Sequence, residues 1–134
     1  MSTDTPAPDL MTALGLEHEA VWLHSQIAGR FPDLRERAEA SFRAHRARRD
    51  ELVAEIGDRA TGPQVSYGPA VVADPVDAAA RAQDLEHRIA AVWLELATRA
   101  DGDARRTSLA QVVVAARARL TWGAAVVALP GLTR

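Results

Sequence analysis

Apolar residues return at steps of three and four along four stretches of this chain, and charged residues sit in the middle of the first three stripes. In the first, Leu10, Leu14, Glu17, Val21, His24 and Ala28 share one helical face, and Gly29 ahead of Phe31-Pro32-Asp33 closes the segment. The second runs through Leu34, Ala38, Ser41, His45, Arg48, Leu52 and Glu55 or Ile56, with Asp33 and Glu36 spaced like a capping box and Gly57 after its end. The third starts at Asp74-Pro75, where an aspartate can cap and proline suits the first helical position, and continues as Ala79, Gln83, Glu86, Ala90, Trp93 and Ala97. The fourth is read as Leu109, Val113, Ala116, Leu120 and Ala124, stopped by Pro130 and Gly131. These patterns predict helices over about 9–28, 33–56, 75–100 and 104–129 in one domain spanning 9–134, preceded by a disordered segment at 1–8.

Between the second and third stripes lies DRATGPQVSYGPAVVA, residues 58–73, which is long for a helix connection. A helix of about 24 residues is about 36 Å long, and a 16-residue strand of chain reaches about 53 Å. The connection can therefore return along the whole length of a helix, with Val65, Tyr67, Val71 and Val72 pinning it. One long crossover between two short-looped hairpins is the ferritin-like form of a four-helix bundle. The expected fold is thus all-α, a ferritin-like four-helix bundle with one long crossover between helices 2 and 3.

Composition narrows the chemistry. The chain has 134 residues, no cysteine and a formal charge of −2. Thiolate metal sites, thiol catalysis and disulfides are excluded. All 16 basic residues are arginine, so lysine chemistry is excluded too. Residues 104–134 hold five arginines and no acid, which leaves −7 on residues 1–103. The opening MSTDTPAPDL lacks the basic start and apolar run of a signal peptide, and no apolar run approaches about 20 residues. A cytoplasmic protein without a membrane partner is expected.

The blocks ALGLEHEAVWLHSQIAG, AHRARRDELVAEIG and PVDAAARAQDLEHRIAAVW, with the LPG tail, resemble a bacterial ferritin-like family known as a domain of unknown function; the likeness runs over roughly 10–132. The resemblance implies a four-helix ferritin-like bundle and no particular activity. A ferritin-like di-metal centre takes one glutamate from each of two helices and Glu-x-x-His from each of the other two. Glu17 and Glu86 suit the single-glutamate positions. Helix 2 instead offers His45 where the motif wants glutamate and Arg48 where it wants histidine, and after Asp103 there is no aspartate, glutamate or histidine at all. The di-metal site is read as lost, with no cofactor expected.

What remains is a polar cluster of Glu17, His45, Arg48 and Glu86. In one reading Arg48 neutralises Glu17 and Glu86 inside the bundle, since a buried charge persists only when paired, and the protein is a non-catalytic binding or scaffolding module. In the alternative, Glu17, His45 and Glu86, with His18, His24 or His87, form a reduced one-metal site of a metal-binding protein or oxidoreductase. Arg48 opposes a cation there, because guanidinium keeps its charge.

Other features have simpler readings. The run HRARR suggests phosphate contacts, but residues along a helix turn by about 100° each, so Arg46 and Arg49 face away from His45 and Arg48; no nucleic-acid partner is expected. Trp22, Trp93 and Trp122 lie on three helices and are candidates for lining a small-ligand pocket, against ordinary packing. No histidine has partners at a spacing that implies a catalytic triad, and lone histidines here read as surface or core-edge residues. Helix 4 is apolar on more than one face, which points to a homodimer.

Overall fold

A computed structural model describes residues 8–125 and residue 132. It contains four α-helices, α1 (Leu10–Arg30), α2 (Arg35–Ile56), α3 (Pro75–Thr98) and α4 (Gly102–Thr121), with 3-10 turns at Pro32–Leu34 and Gly57–Arg59. There is no strand among the described residues. No helix among them is long and apolar enough to cross a membrane. The expected disorder at 1–8 falls almost entirely outside the described residues; Pro8, at its edge, has its carbonyl held by Arg99.

Helix starts follow local chemistry, though not always where the sequence suggested. The capping box belongs to α1: the Asp9 side chain accepts from the Thr12 N–H, and the Thr12 hydroxyl accepts from the Asp9 N–H. The box expected at Asp33 and Glu36 does not form, because Pro32–Leu34 winds into a 3-10 turn and Leu34 occupies the cap position of α2 without a side-chain bond. Asp74 caps α3, accepting from the Asp77 N–H at 2.7 Å, with Pro75 in the first turn. Helix α1 runs through Gly29 to Arg30.

Helix α4 departs most from its pattern. It ends at Thr121, and the expected stop at Pro130 and Gly131 lies outside the described residues. Gly123, at φ 97°, takes the left-handed conformation open to glycine. Its N–H then reaches the Leu120 carbonyl while the Ala124 N–H reaches that of Arg119, the two bonds of a Schellman cap. The buried face is also one residue out of phase: Ser108, Val112 and Ala115 turn inward, and Leu109, Val113 and Leu120 remain exposed. A helix apolar on two faces does not reveal which one meets the core.

Helix α1 packs along α2 and α3, and α3 packs along α4. Leu14, Leu23 and Ile27 of α1, Leu52 of α2, Leu85, Ile89 and Trp93 of α3, Val112 of α4 and the following Trp122 form one core. Each such side chain contributes about 1.5–3 kcal/mol of burial. The segment between α2 and α3 is bonded to α1 near both of its own ends: His18 bonds the Thr61 carbonyl at 2.8 Å, and Arg30 donates to the Val72 carbonyl. Arg81 of α3 straps it further through the carbonyls of Tyr67, Pro69 and Val71. Of its four expected anchors only Tyr67 and Val72 are buried; Val71 is exposed and Val65 is 99 % exposed.

Candidate functional site

The core contains a polar centre at mid-height of the first three helices. Glu17 and His24 lie seven residues apart on α1, two turns along the same face, and both are fully buried. His45 from α2 and Glu86 from α3 meet them, each almost wholly buried. His45 joins the helices: its Nδ1 lies 2.6 Å from Glu17 Oε2 and its Nε2 lies 2.5 Å from Glu86 Oε1. With a carboxylate against each ring nitrogen, both nitrogens donate, and the imidazole is an imidazolium.

Electrostatics agree. Burial alone disfavours charge on His45, but the hydrogen bonds to Glu17 and Glu86 and their negative charges outweigh it and push its pKa up to about 10. His24 goes the other way. Burial first, and then the neighbouring His45 charge, bring its pKa down to about 3, so it is neutral. The two rings stack at 5.5 Å with 6° between their planes. On its far side His24 stacks on Trp122 at 5.4 Å, and the Arg37 guanidinium lies over that indole. Trp122 is tied to α2 through Ser41, to which its Nε1 donates, and to α3 through Gln83, which donates to its carbonyl.

Arg48 is less central than the sequence suggested. It approaches Glu17 Oε1 at 3.8 Å without a hydrogen bond. The buried cation that holds Glu17 and Glu86 together is His45, because its short ring places both nitrogens between two carboxylates on facing helices. His18 is buried at the inter-helix segment and His87 is half-buried in α3. His24, expected at the core edge, is instead fully enclosed; its place in the stripe seven residues after Glu17 was the signal for this. The three tryptophans do not frame one pocket. Trp22 lines a cavity of about 250 Å³ with Tyr67 and Arg81, Trp93 lines another of about 430 Å³ with Leu10 and Leu96, and Trp122 covers the histidine stack.

The donor set also suits a cation in one respect. His24, His45 and Glu86 can bring one ligand atom each to within 4.8 Å of one another, and neither nitrogen of His24 has a hydrogen-bond partner among the described residues. In another respect it does not, because both His45 nitrogens are already engaged by carboxylates.

Fold and centre define an all-helical protein with a buried carboxylate–imidazolium–carboxylate triad. Residues 9–134 match the family described as a domain of unknown function, DUF4439, and the chain belongs to that family. Among solved structures it is similar to the conserved hypothetical protein rv2844 from Mycobacterium tuberculosis, with 24 % identity and a TM-score of 0.74 over 84 % of this chain and 90 % of that one. No curated protein matches the chain.

Proposed function

We propose that this chain is a ferritin-like four-helix bundle in which a protonated histidine has replaced the di-metal centre, and that it acts as a non-catalytic binding or scaffolding module. The ferritin-like crossover is supported by the contacts at Thr61 and Val72, near the first half and the last turn of α1 respectively, and by Arg99 at the end of α3 reaching the carbonyl of Pro8 before α1. Helices α2 and α3 would then both run opposite to α1. The observation that carries the reading of the centre is the double engagement of His45 by Glu17 and Glu86. A proton on His45 supplies charge between the carboxylates where a metal ion would sit in a ferritin, and α4 has no acid or histidine beyond Asp103 with which to complete a di-metal set.

A second reading is favoured by one feature. The two unpartnered nitrogens of His24 beside His45 and Glu86 suit a single-metal site, the basis of a metal-binding protein or oxidoreductase. Elemental analysis after expression with added iron or zinc separates the two. The scaffold reading expects far less than one metal ion per chain and a melting temperature indifferent to chelator. Near-stoichiometric metal, lost in both His24→Leu and Glu86→Gln, would establish the single-metal site instead.

A further inference from the structure

The end of the bundle where α1 and α4 begin and α2 and α3 end is not filled by its own side chains. The cavity of about 430 Å³ lies there, two helical turns and so about 10 Å from the buried centre, since Leu10 and Trp93 stand seven residues from Glu17 and Glu86 respectively. All four helices line it. Leu10, Trp93 and Leu96 give it apolar walls, and α4 contributes the small residues Ala104 and Ser108, one turn apart, where longer side chains would take up the space. Helices α2 and α4 do not pack closely on one another, which leaves the room. Polar groups are few. Trp93 is 5 % exposed and its Nε1 has no hydrogen-bond partner among the described residues, whereas the buried Trp122 donates to Ser41. Glu55 in the last turn of α2 and Arg99 at the end of α3 are the charged residues of the lining; both are exposed, and no ion pair joins them to each other. Arg99 gives one N–H to the Pro8 carbonyl, and a guanidinium has several. Mainly apolar walls with a few polar groups of fixed position are the general form of a small-molecule site, and about 300–1,000 Å³ is its usual size.

We infer that this cavity binds a small zwitterion with an apolar body, of which an α-amino acid with a hydrophobic side chain is the simplest. The apolar part lies against Leu10, Trp93 and Leu96, the carboxylate meets Arg99 and the ammonium meets Glu55. Charge selects the class. An apolar carboxylate without an amine brings a like charge to Glu55, and an apolar amine without a carboxylate brings one to Arg99. A molecule carrying both signs satisfies both residues. The inference deepens the binding-module reading by naming a ligand, and rests on it only in that sense, because the cavity lies apart from the His45 centre.

The three tryptophans report on the site separately, because each gives one indole N–H signal in nuclear magnetic resonance spectra. Titration of the full chain with L-phenylalanine should give a saturable, millimolar shift of the Trp93 signal and leave those of Trp22 and Trp122 in place. Hydrocinnamate lacks the amine and phenethylamine lacks the carboxylate, and each should bind about threefold more weakly, the contribution of one exposed ion pair. Arg99→Gln should erase the preference over phenethylamine, and Glu55→Gln the preference over hydrocinnamate. Ala104→Leu, at the exposed first turn of α4, should abolish the shift without loss of helicity; if that variant misfolds, the two charge variants still decide. No saturable shift of Trp93, equal binding of the three molecules by the unaltered chain, or binding that survives a well-folded Ala104→Leu would overturn the proposal. A metal-free chain that binds none of them would remove this ligand and leave the reading of the centre standing; a metal-loaded chain that binds L-phenylalanine would do the reverse.

Discussion

Two buried histidines stacked 5.5 Å apart behave in opposite ways. His45 faces carboxylates on both sides and keeps its proton to about pH 10; His24 faces an imidazolium on one side and an indole on the other and refuses a proton until about pH 3. The residue type is the same and so is the depth of burial. The neighbours decide which ring is charged, and only the charged ring joins helices.

Removing each ring should break this comparison most sharply. His45→Ala leaves Glu17 and Glu86 buried without their shared partner, a loss of about 3–5 kcal/mol in denaturant unfolding. His24→Leu removes two buried nitrogens that have no hydrogen-bond partner among the described residues and should be neutral or stabilising. Equal losses at the two positions would mean that His24 is bonded to something, a metal ion foremost.

The same contrast predicts a stability maximum near pH 6.5. For His45 the folded pKa is raised, so its stabilisation is complete below 6.5 and is lost as pH rises through about 10. For His24 the folded pKa is depressed, so the fold is penalised as pH falls from 6.5 toward about 3. Within either window one histidine changes stability by about 1.4 kcal/mol per pH unit. Unfolding curves for His24→Leu should show a flatter upper acid limb with the alkaline limb intact; an unchanged acid limb would show that His24 does not titrate as described.

The smallest effects belong to the arginines of HRARR. Arg48, at 3.8 Å from Glu17 and partly exposed, should cost about 1 kcal/mol on truncation to alanine, well short of His45. Arg49, paired with its exposed neighbour Asp50, should cost less than about 0.5 kcal/mol. An Arg48→Ala loss matching that of His45→Ala would restore Arg48 as the principal counter-ion.

The four helices were legible because their stripes are long and regular, and Glu17, His45 and Glu86 were legible because each interrupts an apolar stripe with a group that must find a partner. Which cation that partner is was not legible. His45 and Arg48 are three residues apart on one face, and only the helix spacing shows that the short ring spans both carboxylates while the long side chain passes beside Glu17. The phase of α4 was hidden for the opposite reason, since Leu109 and Val113 look as suited to the core as Val112 and Ala115 do. Its end lies at Gly123, ahead of Pro130, because TWG supplies the left-handed residue that a Schellman cap needs.

Trp122 adds a kinetic consequence to this equilibrium picture. The indole seals the histidine stack from beyond the end of the last helix, held by a turn that hinges on one glycine and by single bonds to Ser41 and Gln83. The protonation energies state which ring holds a proton; the turn governs how quickly that proton can reach water. Opening of the chain around Gly123 is therefore expected to speed exchange of the His45 N–H protons with solvent. In nuclear magnetic resonance spectra, long-lived imidazolium signals should collapse to rapid exchange when Trp122 is replaced by alanine, long before the helices themselves begin to melt.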